Sequence, residues 1–182
     1  MVSAHFSTFQ PFNLLTPCVD FKWHALYTKS RHEKFISAEL QKKGIEAYLP
    51  LRRVQRRWSD RNVITEEPVF SSYIFVRSNP LISTEILKTK GAVKFVSAGH
   101  EPVVVSPAVI GSLRTIFTQN IQADPFPYLR EGERVCVRSG VFKGVEGFIV
   151  RKDDKRCRVV ISIDAIMSSI SFEVDSCLVE KV

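Results

Sequence analysis

Phe70-Ser71-Ser72-Tyr73-Ile74-Phe75-Val76 holds no Gly, no Pro and no charge. Three of its seven residues are aromatic and two are β-branched aliphatics, the composition of a strand. Strand alternation sends Phe70, Ser72, Ile74 and Val76 to one face and Ser71, Tyr73 and Phe75 to the other. Both faces carry large apolar groups, so both need cover. Helices of the same module can close one. The other is either core or a place where something docks.

Immediately upstream, residues 52–62 carry five arginines (Arg52, Arg53, Arg56, Arg57, Arg61), and Ser59 to Asn62 has turn composition. Val63-Ile64-Thr65 then leads back through Pro68. The span reads as a β-hairpin with a basic tip. The planar fork of arginine, which donates two bonds at once, suits phosphate.

Further towards the N-terminus, Lys22 to Thr28 alternates as a short strand. Ser30-x-x-Glu33 has the form of a capping box opening a helix with Phe35, Ile36, Ala38 and Leu40 as its apolar stripe and Gly44 as its stop. Ile45 to Leu51 reads as a further strand. Downstream of Val76, Ile82 to Lys90 reads as a helix ended by Gly91, and Ala92 to Val96 as a strand. Ser106-Pro107 opens another helix, buried through Val109, Ile110, Leu113, Ile116 and Phe117. The order β-α-β-β-α-β-α predicts an α/β sandwich around an antiparallel sheet.

Gln119 to Arg130, with two prolines and little periodicity, reads as a linker. Glu131 to Val182 reads as all-β: four or five short strands, with Gly140, Gly144 and Gly147 between the first two, suggest a small barrel. These glycines are not a nucleotide loop, because the G-x-G turn is missing and no helix follows. The expected division is therefore an extension over 1–20, a mixed module over 21–118, a linker over 119–130 and a β module over 131–182. The fold class is α+β.

Composition bounds the function. The chain has 182 residues, 45% hydrophobic and 25% charged, which are globular values. Its net charge is +7. Residues 1–120 hold 16 of the 26 Lys and Arg but only 9 of the 19 Asp and Glu, so the whole excess lies in the first module, which suits a module near nucleic acid. No apolar run approaches the roughly 20 residues that span a bilayer, and residues 1–20 lack the features of a signal peptide. A cytoplasmic monomer is expected. Cys18, Cys136, Cys157 and Cys177 are widely spaced, with no CxxC pair, so reduced thiols and no metal site are expected. His5, His24, His32 and His100 form no nucleophile–base or metal pattern, so neither an enzyme nor a cofactor is expected.

WHALYTKSRHEKFISAELQKKGIEAYLP, the basic hairpin and PVFSSYIFV together resemble the N-terminal (NGN) domain of the NusG family of transcription elongation factors. GERVCVRSGVFKGVEGFIV, followed by VVISI and VEKV, resembles its C-terminal KOW domain, an SH3-like barrel. FSSYIFV, standing where the general factor has Phe-Pro-Gly-Tyr, and the span HEPVVVSPAVI are similar to the specialised RfaH- and UpxY-like antiterminators of capsular polysaccharide operons.

The resemblance implies an antitermination and elongation factor. Its NGN domain grips the clamp helices of the largest RNA polymerase subunit and suppresses pausing and termination. By motif match Tyr27, Phe70, Tyr73 and Phe75 line the apolar depression that receives those helices. Lys29, Arg31 and Lys34, at the start of the first helix, match the region that meets non-template DNA. The KOW barrel is implied to bind ribosomal protein S10 or the termination factor Rho, through Phe142, Ile163, Ala165 and Ile166. The β-branched runs Val159–Ile163 and Ile170–Val174 predict a permanent barrel rather than the helical hairpin that RfaH can adopt. The alternative is a ribosome-associated or RNA-binding KOW protein.

Overall fold

The computed structural model describes residues 20–57, 61–118, 123–129, 132–152 and 155–182. In chain order the elements are β1 (Lys22–Thr28), α1 (Glu33–Lys42), β2 (Ala47–Tyr48), β3 (Leu51–Arg57), β4 (Asn62–Pro68), β5 (Tyr73–Ser78), α2 (Pro80–Leu87), β6 (Ala92–Phe95), β7 (Ser97–Ala98), β8 (Glu101–Pro102), β9 (Val104–Val105) and α3 (Pro107–Thr118). The second half adds β10 (Asp124–Phe126), β11 (Glu133–Val137), β12 (Glu146–Lys152), β13 (Arg156–Ile163), β14 (Ser168–Asp175) and β15 (Val179–Lys181).

The first sheet runs β2-β5-β1-β6, with β9 also on β1, and every pairing in it is antiparallel. Alternation along the central β1 decides its two faces. Trp23 and Ala25 join Phe75 beneath α3, against Ile110, Leu113 and Ile116. Leu26 joins Ile74 and Val76 on the opposite face, against Ile36 and Leu40 of α1 and Ile86 of α2. Helices therefore cover both sides of the sheet, the expected sandwich.

The stretch that reads as one strand from Phe70 to Val76 is two pieces. Residues 70–73 form a turn, with the Tyr73 N–H donating to the Phe70 carbonyl at 3.3 Å, and β5 starts only at Tyr73. Ser72 sits at φ +65°, a left-handed conformation that costs a side-chain-bearing residue about 1 kcal/mol or more. This is the third position of the turn, the one that asks for Gly in a type II turn. The turn undoes the alternation: Phe70 packs edge-on against Phe75, ring centroids 6.0 Å apart, instead of pointing to the opposite face.

The capping box does not form either. The N-cap of α1 is His32, which makes no side-chain cap. The carboxylate of Glu33 reaches across to accept from the Ser72 N–H at 2.7 Å. Phe35, expected in the buried stripe, is 46% exposed; Glu33 takes an inward place beside Ile36 and Leu40. The span 45–51 yields only the two-residue β2 before β3 begins. The helix expected from Ile82 starts at Pro80, because the Asn79 side chain accepts from the Ile82 N–H at 3.1 Å and Pro80 needs no partner at the first turn.

The second sheet has the order β10-β14-β13-β12-β11-β15 and wraps its own core, where Phe142 stacks on Phe172 at 4.8 Å. Among the described residues, segment 140–175 is β apart from its turns and one 3-10 turn over Asp164–Ile166. Within the span read as linker, Asp124–Phe126 forms the edge strand β10 on β14. Two serines then strap the chain down: Leu129 N–H donates to Ser169 Oγ at 3.2 Å, and Ser162 Oγ donates to the Leu129 carbonyl. Gly147 is needed for a close approach, since a Cβ there would lie 2.6 Å from the Val160 carbonyl oxygen. The apolar cluster under α3 continues into this barrel, which rests beside α3 and β9.

Candidate functional site

The Ser72 turn opens one end of the sheet. Register places Tyr27 opposite both Tyr73 on β5 and Lys94 on β6, giving a row across three strands. α3 packs on the Trp23 end of this face, and Tyr73 lies at the margin of the same core. Tyr27 is 37% exposed, Tyr73 is half-buried, and their rings lie 5.4 Å apart. Phe75 is fully buried and Phe70 nearly so, so of the four aromatics singled out in the sequence only the tyrosines form an outer surface. The phenylalanines are its floor. Two rigid rings over an apolar base suit the side of a helix.

The cations divide into two sets. On the hairpin, which pairs β3 with β4 as its own two-stranded sheet, register sets Arg53 opposite Glu66 and Arg52 opposite Glu67. Arg56 Nη2 lies 2.6 Å from Glu67, Arg53 Nε 3.8 Å from Glu66, and Arg52 Nη1 3.4 Å from Asp124 of β10. Arg52, Arg53 and Arg56 are therefore already paired. Arg57 and Arg61 flank the tip, where Trp58 and the first two residues of the expected turn, Ser59 and Asp60, lie outside the described residues.

Lys29, Arg31 and Lys34 are exposed, and among the described residues none of them makes an ion pair. They cluster because Arg31 takes φ +64° ahead of α1 and because the Lys29 N–H donates to the Gly91 carbonyl at 2.9 Å. That bond brings the loop after α2 against the start of α1, with the His32 ring filling the space over Gly91. It adds two cations that the family motif does not single out, Lys90 and Lys94, both exposed and unpaired among the described residues. The signal for them was Thr89-Lys90-Gly91, a turn with a cation beside it. Glu33, between Arg31 and Lys34 in sequence, is buried and already bound to Ser72.

In the barrel, Phe142, Ile163 and Ile166 are buried and Ala165 is half-buried. Exposed apolar residues beside them are Val141 and Met167, the latter held at φ +49° after the 3-10 turn. Among the described residues no group of three His, Cys, Asp or Glu side chains could hold a metal, and no helix is long and apolar enough to cross a membrane.

The family model "Transcription termination factor nusG" matches residues 21–114, more than half of the chain. The chain is 24% identical to the transcription termination/antitermination protein NusG of Borreliella burgdorferi, over 88% of this chain and 98% of that one. Among solved structures it is similar to NusG of Thermotoga maritima, with a TM-score of 0.51 and 19% identity over 88% of this chain and 97% of that one. The mixed sandwich followed by a β module is the fold of that neighbour. The chain belongs to the NusG family of transcription termination factors.

Proposed function

We propose that this chain is a specialised antitermination factor that docks on the clamp helices of RNA polymerase through the Tyr27–Tyr73 surface and suppresses pausing and termination. The observation that carries the reading is the Tyr27–Tyr73 pair over the Phe70–Phe75 floor, with Tyr27 exposed and Tyr73 half-buried. The unpaired cations Lys29, Arg31 and Lys34 border the same end and would meet non-template DNA. Ser71-Ser72, in place of Pro-Gly, supports the RfaH- and UpxY-like branch, serving particular operons such as those for capsular polysaccharide. The barrel would bind ribosomal protein S10 or Rho through the end that carries Ala165 and Met167.

The test is retention of RNA polymerase by the full chain and by a Tyr27→Ser/Tyr73→Ser variant. Phe75→Ala is a poor probe, because removing a fully buried ring disturbs the fold itself. Retention by the wild type and loss in a variant with unchanged circular dichroism supports the reading. A wild-type chain that retains no polymerase ends it.

A further inference from the structure

Glu33 is 4% exposed and, among the described residues, makes no ion pair. Carboxylates are seldom fully buried without a partner, and an apolar residue beside Ile36 and Leu40 would pack with less desolvation. The hydrogen bond that Glu33 accepts comes from the backbone N–H of Ser72, at 2.7 Å, and is charge-assisted. Ser72 is also held from its other side, since its carbonyl accepts from the Thr28 N–H at 2.9 Å. Ser72 is the residue that must stay at positive φ for Phe70 to fold under Phe75 and for Tyr73 to meet Tyr27. Glycine would hold this conformation without help; serine does not.

We infer that Glu33 is a positioning residue for the docking surface: from the first turn of α1 it clamps the Phe70–Tyr73 turn in the conformation that presents the tyrosine row. This rests on the polymerase-docking reading for its function, but not for its geometry. The same bond ties the start of α1, where Lys29, Arg31 and Lys34 lie, to the aromatic surface.

Three variants of the full chain test it: Glu33→Gln, which keeps an acceptor at the same reach, Glu33→Ala, which removes it, and Glu33→Ala/Ser72→Gly, which removes both the clamp and the strain. Near-ultraviolet circular dichroism reads the Tyr27–Tyr73 pair, and polymerase affinity reads the surface. Glu33→Ala is expected to alter the near-ultraviolet tyrosine signal and weaken polymerase binding about tenfold, while Glu33→Gln stays near the wild type. The double variant is expected to recover both signals, which repair of mere packing at position 33 would not do. Wild-type behaviour of Glu33→Ala, or a loss that Ser72→Gly fails to recover, overturns the inference. If the wild type itself binds no polymerase, the docking reading falls alone, and the near-ultraviolet signal still decides whether Glu33 sets the turn.

Discussion

The guanidinium of Arg114 lies over the indole of Trp23, its central carbon 5.2 Å from the ring centroid, and the same group is 5.3 Å from the Tyr48 ring. Glu46 fixes it there, accepting from Arg114 at 2.8 Å and from Arg77 at 3.2 Å. One side chain of α3 thus spans the central strand β1 and the edge strand β2. The hydrogen bond from Arg114, assisted by that from Arg77, holds the Glu46 carboxyl below the usual glutamate range. Arg114→Lys is expected to destabilise the protein by about 1 kcal/mol, because an ammonium cannot cover two rings as a planar fork does. Urea denaturation followed by tryptophan fluorescence measures this; an unchanged midpoint would show that the stacking contributes nothing.

Gly147→Ala is expected to cost about 1–3 kcal/mol, through overpacking. The new methyl would meet the Val160 carbonyl oxygen at 2.6 Å and Val159 Cγ1 at 2.7 Å, and the first belongs to a paired strand that cannot move aside. Amide exchange in β12 and β13 should accelerate while that in β1 and β5 stays as before. Equal acceleration in both sheets would mean that the glycine is not a local contact.

The two sets of cations should behave differently towards single-stranded DNA. Neutralising Lys29, Arg31 and Lys34 together is expected to flatten the slope of log affinity against log salt by about 2. Neutralising Arg52, Arg53 and Arg56, which face Asp124, Glu66 and Glu67, should change it less. A larger effect from the hairpin triad would mean that those ion pairs open when nucleic acid binds.

Acid should weaken the first module through His24. This imidazole is buried, with Nδ1 2.9 Å from Ser78 Oγ and the Phe95 ring edge-on at 5.9 Å. Burial pushes its pKa below the ordinary 6.5, an effect that outweighs the opposing backbone hydrogen bond with Lys22. The unfolded chain therefore binds a proton at a pH where the folded one does not. The stability this contributes is complete above pH 6.5 and declines as the pH falls through the lowered value. The melting temperature of the wild type is expected to fall on going from neutral pH into that range, and that of His24→Asn to fall less. Parallel curves would remove His24 from the account.

The order of elements was legible because each rests on a local period or a local stop. Alternation marks β1 and β13, the 3.6-residue stripe with Pro107 at its head marks α3, and two β-forming runs around a polar turn mark the hairpin. The cross-strand acids of that hairpin were not legible: only the register that sets Leu51 opposite Pro68 puts Glu66 and Glu67 across from Arg53 and Arg52. The aromatic surface was only half legible. Its four aromatics stand out in the sequence, but their division into two outer rings and two floor rings depends on the turn at Ser72.

What composition and period settled, then, was which segments are strands and which are helices, since those preferences act over a few neighbouring residues. What folding settled was the Phe70–Tyr73 turn and the role of Glu33. A serine adopts positive φ only where something distant holds it, and that hold comes from a carboxylate 39 positions earlier in the chain. Locally, Ser30-x-x-Glu33 favours a capping box. In the folded protein the half-buried Ser72 N–H competes for the same carboxylate, and leaving a backbone donor unpaired away from water costs more than leaving a helix end uncapped in water.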